Sequence, residues 1–108
     1  MAISLDPKIE QIAEELKRQF QPSRLFLYGS RANGTARPNS DYDFVMVLPV
    51  FDGNRFEIMH QISSMFWDKH NLAVQVWVYS QAESEFKKND FNSIPETAMN
   101  TGKEIDLV

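Results

Sequence analysis

LFLYGSRANGTARPNSDYDFVMVL, residues 25–48, passes from an apolar run through a loop of small and polar residues into a second apolar run. Residues 24–28 have the length and composition of a buried strand, which Gly29-Ser30 ends. Residues 31–36 are too short a stretch to assign alone. Arg37-Pro38-Asn39-Ser40 is a turn, and residues 41–48 read as another strand, stopped by Pro49. Asp41 and Asp43 stand two apart on that strand, so their side chains leave the same face and their carboxylates can converge on one cation. Arg24, Arg31 or Arg37 could neutralise the pair. Paired hard oxygens more often serve Mg²⁺, which takes one or two protein carboxylates and completes its shell with water and phosphate. Gly29-Ser30 supplies a complementary half. A glycine at a strand end lets the backbone approach a ligand closely, and successive N–H groups with a serine hydroxyl can hold phosphate oxygens.

Outward from this unit the chain alternates helices and strands. Asp6-Pro7 is an N-cap followed by proline at the first helical position, and Ile9, Ile12, Leu16 and Phe20 then share a face, which predicts a helix over 7–20. Asp52-Gly53-Asn54 leads into a second amphipathic helix over 54–69, with Ile58, Ile62, Met65 and Phe66 at helical spacing. Residues 72–79, LAVQVWVY, form a third strand whose polar Gln75 faces away from Val74 and Val76. Ser80 with Glu83 and Ser93 with Glu96 have capping-box spacing, so a short helix is expected at each, the last closed by Gly102. The order helix, strand, strand, helix, strand, helix, helix makes an α/β sheet protein. The helical connection between the second and third strands favours parallel pairing there.

The 108 residues fit one compact domain, and 43% apolar with 12% aromatic residues can fill its core. No stretch approaches the ~20 consecutive apolar residues of a membrane span, and MAISLDPKIE has no basic segment followed by an apolar one, so a cytoplasmic location is expected. Zero cysteines rule out disulfides and thiolate metal sites, and His60 and His70 lack metal-ligand spacing. A formal charge of −4 opposes a broad basic surface that would track long nucleic acid.

The arrangement strand, Gly29-Ser30, ten residues, Asp41-x-Asp43, strand resembles the signature of the nucleotidyltransferase superfamily related to DNA polymerase beta. More narrowly, YGSRANGTARPNSDYDFVMVL is similar to the minimal nucleotidyltransferases, small single-domain proteins often encoded beside a HEPN-domain partner. The similarity extends, more loosely, over almost the full chain. It implies an α/β fold with a small mixed sheet flanked by helices, the polymerase-beta-like nucleotidyltransferase fold, as one domain over residues 1–108. It also implies transfer of a nucleoside monophosphate from a Mg²⁺-bound triphosphate to a hydroxyl with release of pyrophosphate. ATP is the default donor, a partner protein the expected acceptor, and the antitoxin role of a HEPN pair the expected setting. By the same resemblance Gly29 and Ser30 hold the triphosphate while Asp41 and Asp43 bind one or two Mg²⁺ ions. The chemistry suits these parts, because phosphoryl displacement is accelerated mainly by in-line positioning and metal charge. Arg31 and Arg37 are candidates to brace the polyphosphate in a bidentate way, with plain solvation as the competing reading.

The chain departs from the family at one position. The family usually carries a third acidic residue on the next strand, and Gln75 stands where that carboxylate is expected. A glutamine cannot accept the attacking hydroxyl's proton. Three readings follow: turnover with two carboxylates on an intrinsically activated hydroxyl, substitution by an acid such as Glu57 or Asp68, or nucleotide and partner binding without turnover. Trp67, Trp77 and Tyr79 are read as core, as are the Met and Phe positions of the 54–69 helix apart from one exposed patch for a partner. Lys87-Lys88 is read as a solvated helix end. Exposed apolar helix faces on a domain this small suit self-association or a larger complex.

Overall fold

The computed structural model describes residues 6–87, 97 and 102–107. Its elements run α1 (Pro7–Phe20), β1 (Arg24–Tyr28), α2 (Ser30–Asn33), β2 (Tyr42–Leu48), α3 (Arg55–His70), β3 (Val74–Ser80), α4 (Gln81–Lys87) and β4 (Lys103–Glu104). The sheet has strand order β3-β2-β1-β4. Strand β2 pairs parallel with β3, while β1 pairs antiparallel with both β2 and β4. This is the expected mixed sheet flanked by helices.

Local chemistry explains the boundaries. Asp6 accepts from the Lys8 N–H at 2.9 Å, Pro7 occupies the first turn, and Gln21 closes α1 in the left-handed region. Asn54 caps α3 by accepting from Phe56 N–H at 2.8 Å. At its other end Asn71 turns left-handed and Leu72 N–H donates back to Phe66 O at 3.2 Å. Those bonds consume residues 71–72, so β3 starts at Val74 rather than at the predicted position 72. The Ser80 box forms as expected: Ser80 N–H donates to Glu83 Oε1 at 2.9 Å and Glu83 N–H to Ser80 Oγ at 3.2 Å. The Ser93–Glu96 box lies outside the described residues. Strand β4 was not predicted. Its two residues are held by long-range contacts, Ile105 N–H to Leu25 O at 2.8 Å and a bidentate Arg24–Glu104 pair at 2.9 and 2.8 Å.

The period-2 alternation divides the sheet into two faces. Leu25, Leu27, Phe44, Met46, Val76 and Val78 point toward α1 and α3 and meet Ile12, Leu16, Ile62 and Phe66 in the main core. Phe26, Val45, Val47 and Tyr79 make a smaller cluster on the opposite face, with Tyr28 and Trp77 at its margin. Asp43 and Gln75 belong to this second face. Helix α3 also covers the outer edge of β3. Ala73 O accepts from Tyr42 N–H at 2.9 Å across the ladder, so the next carbonyls alternate outward, and side chains of α3 meet two of them. Ser63 Oγ donates to Val74 O at 2.9 Å and Arg55 Nη1 to Val78 O at 3.1 Å. An open edge is thereby closed to strand addition.

Candidate active site

Three strands bring Tyr28, Asp43 and Gln75 side by side in one cross-strand row, Tyr28 opposite Asp43 and Asp43 opposite Gln75. Gln75 therefore occupies the place on the neighbouring strand from which a third carboxylate would reach the pair. Asp41 stands one residue before β2, not within it, because the ladder begins with Tyr42. It is exposed, whereas Asp43 is half-buried.

Gly29 ends β1 at φ 76° and ψ −154°, a conformation open essentially to glycine alone. A Cβ there would lie 3.0 Å from Asp43 Oδ2, so the bare backbone is what lets the turn close on the carboxylate. Gly29 O accepts from Ala32 N–H at 3.0 Å and Asn33 N–H at 3.1 Å, which winds residues 30–33 into the single turn α2. The N–H groups of Ser30 and Arg31, as first-turn donors, have no carbonyl along the helix to meet. The short stretch that could not be assigned from sequence thus becomes a turn that begins beside Asp43.

The electrostatics single out the acid pair. Burial, and then the charge of Asp41, push the Asp43 carboxyl above its usual range. Among the described residues neither aspartate forms an ion pair. Of the three arginines named as possible neutralisers, Arg24 is placed on Glu104 and Arg31 on the loop described next. Burial, followed by the charge of Asp43, pushes the Tyr28 hydroxyl up to about 12, with a hydrogen bond from Trp77 opposing. Tyr28 is a neutral neighbour to Asp43 at physiological pH. Two carboxylates with no ion pair among the described residues fit an external divalent ion, and Mg²⁺ asks for no more than one or two of them. Among the described residues no group of three His, Cys, Asp or Glu side chains gathers as metal ligands, so neither Glu57 nor Asp68 completes such a set with Asp41 and Asp43.

Arg31 lies largely buried, 14% exposed along its side chain. Its Nη2 donates to Ser40 O at 2.8 Å and to Pro38 O at 3.4 Å, and its guanidinium stacks 4.2 Å above the Tyr42 ring. Nη1 sits 3.9 Å from Asp6 Oδ2, which in turn accepts from Tyr42 Oη at 2.8 Å. This geometry makes Arg31 the tie that fixes the loop delivering Asp41, instead of a free arm for phosphate. Arg37 is exposed and its backbone N–H donates to Ser40 Oγ at 2.8 Å, tightening the same loop.

Trp67, expected in the core, is 57% exposed and lines a groove of 270 Å³ with Asp41, Ser63, Leu72, Val74 and Gln75. Met59, Ile62 and Phe66 take the core side of α3, and Trp67 lies one residue, 100°, beyond Phe66. That angular offset is the signal by which it could have been found. Trp77 and Tyr79 are half-buried and buried, as expected.

Comparison with known proteins follows the same lines. Residues 9–99 match a family model described as a nucleotidyltransferase domain. The crystal structure of a protein from Sulfolobus solfataricus, assigned as a nucleotidyltransferase, superposes with a TM-score of 0.52 at 25% identity, covering 72% of this chain and 68% of that one. The Uncharacterized protein 348R of Invertebrate iridescent virus 6 is 31% identical over 61 residues, 56% of this chain and 58% of its own length. With residues 9–99, most of its length, matched by that model and the mixed α/β fold in place, this chain belongs to the nucleotidyltransferase domain family.

Proposed function

We propose that the protein is a Mg²⁺-dependent nucleotidyltransferase that moves a nucleoside monophosphate, AMP from ATP, onto a hydroxyl of a partner protein. The observation that carries this reading is the closeness of the Gly29 turn to Asp43, with 3.0 Å between a would-be Cβ and Oδ2, beside an acid pair that has no ion-pair partner among the described residues. A turn able to hold phosphate and a ligand able to hold metal adjoin. Asp41 and Asp43 would bind the ion, with Gly29 and the N–H groups of Ser30 and Arg31 facing the triphosphate. Mg²⁺ supplies positive charge to the transferring and leaving oxygens of the phosphate chain. Arg31 positions Asp41 by anchoring Ser40, and Arg37, exposed in the same loop, is left to reach solvent-side phosphate oxygens. Gln75 can orient the acceptor by hydrogen bonding but takes no proton. The acceptor oxygen bonds to the α-phosphorus as the bond to the bridging oxygen breaks, pyrophosphate leaves, and the hydroxyl proton passes to solvent water.

The resemblance adds that the partner is a HEPN-domain protein and that modification neutralises it. The test incubates the protein with ATP labelled at the α-phosphate, Mg²⁺ and the product of the adjacent reading frame, beside Asp41→Asn and Asp43→Asn. Label on the partner with the parent protein and none with either variant is the expected result. No label under any condition rejects the enzymatic reading. Gln75 in register with Asp43 favours one second reading, a module that masks its partner by contact without turnover. On that reading the double aspartate variant neutralises the partner as well as the parent protein does.

A further inference from the structure

Two large aromatic side chains stand exposed along the seam between α3 and the outer edge of β3. Phe56 is 62% and Trp67 57% exposed. Phe56, His60, Ser63 and Trp67 follow at intervals of four, three and four residues, so they form one stripe along α3, about 16 Å long at 1.5 Å per residue. At one end the Phe56 ring meets Trp77 edge-on, centroids 6.5 Å apart. At the other end Trp67 forms the wall of the groove that holds Asp41 and Gln75. The stripe therefore runs into the β3 side of the candidate active site, across β2 from the Gly29 turn.

Its charge is as telling as its shape. No lysine or arginine lines the groove, and Asp41 does. The outward flank of α3 carries exposed Glu57 and Asp68, while Lys69 turns to the other side, where its charge acts on Glu15 of α1. Along this groove and flank the described residues would offer a phosphodiester chain carboxylates and neither lysine nor arginine. A surface about 16 Å long also exceeds what a small hydroxyl compound needs, whereas exposed aromatics bordered by acids suit a protein segment with apolar and basic side chains.

Resting on the transferase reading above, we infer that the α3–β3 seam is the acceptor-docking surface. Trp67 is its anchor, and the occupant is a hydroxyl-bearing protein segment flanked by apolar and basic residues. Trp67 positions the acceptor and does not touch the nucleotide.

The test offers the protein Mg²⁺ and α-labelled ATP with a peptide library that has a central Ser, Thr or Tyr and randomised flanks, and separately an RNA oligonucleotide with a free 3′ hydroxyl. Label is expected on peptides enriched in Lys, Arg and apolar flanking residues. Trp67→Ala lowers kcat/KM for the best peptide about tenfold, the loss typical of removing an interface tryptophan, with Mg·ATP affinity by calorimetry unchanged. Trp67→Phe keeps most of the activity. The docking surface is overturned by equal kcat/KM in Trp67→Ala, by preference for acidic flanks, by label on RNA and not on peptide, or by no label on any peptide while Mg·ATP still binds. Absence of Mg·ATP uptake by the parent protein overturns the transferase reading itself, and this inference with it.

Discussion

Replacing Gly29 by alanine tests whether the turn and the carboxylate form one unit. Two separable penalties follow from the coordinates. At φ 76° and ψ −154° an L-residue is strained by about 1–3 kcal/mol. In addition the new Cβ would stand 3.0 Å from Asp43 Oδ2 and 3.7 Å from its Cβ and Cγ, so the carboxylate must give way by a few tenths of an ångström. Gly34 provides the control. Its φ is 83°, but a Cβ there has nothing within 4 Å, so Gly34→Ala carries only left-handed strain, about 1–2 kcal/mol. Chemical denaturation should therefore place both variants about 1–3 kcal/mol below the parent, with thermal midpoints lower by roughly 4–8 °C per kcal/mol. Function should separate them. Calorimetric titration with Mg·ATP should show affinity lost in Gly29→Ala and kept in Gly34→Ala. Equal nucleotide affinity in both variants, or a Gly29→Ala protein within about 0.5 kcal/mol of the parent, would refute the reasoning.

Three further predictions concern the acids and their supports. Asp43 has its carboxyl raised by burial and by Asp41, so the folded state holds that proton more readily than the unfolded one. Without metal, stability should then fall as pH rises through the range above 3.8, and Asp43→Asn should melt higher than the parent protein at neutral pH in EDTA while losing its stabilisation by Mg²⁺. Arg31→Ala removes two donors and a stacked cation from a nearly buried position. It should destabilise by about 2–3 kcal/mol, and Arg31→Lys should not rescue it, because an ammonium cannot reproduce the forked geometry. Gln75→Asp places a third acid in the Asp43 row. It should lower the metal-free melting temperature, raise Mg²⁺ affinity and increase turnover, read by differential scanning and label transfer.

What could be read in the sequence was what neighbouring residues decide. Asp6-Pro7 starts α1 because cap and proline act within one turn, and Ser80 with Glu83 starts α4 for the same reason. The parallel β2–β3 pairing followed from the helix between them, and it placed Asp43 and Gln75 in register. Where distant contacts decide, the sequence was mute. Lys103-Glu104 has no strand composition, and β4 exists because Glu104 meets Arg24 eighty residues earlier in the chain. Arg31 looked like a free cation beside a phosphate turn, yet Ser40, Tyr42 and Asp6 engage it only once the loop folds over. Trp67 was misread because hydrophobicity alone does not tell Phe66, fully buried, from its exposed neighbour.

On the transferase reading, the placement of the two acids serves an added cation at the expense of stability. A half-buried carboxylate beside a second one is a standing liability, and three arginines lie on or near the same sheet. Each is engaged elsewhere: Arg24 fastens β4, Arg31 fastens the loop, and Arg55 pairs with Glu83 while capping Val78 O. Pairing any of them with Asp43 would relieve the repulsion and fill the place of a metal at the same time. These three arginines instead hold the elements that carry Gly29, Asp41 and Gln75 in position. On that reading the charge left on the pair would give a divalent ion differential affinity for the folded state, so metal binding and the local rigidity of the turn should rise together.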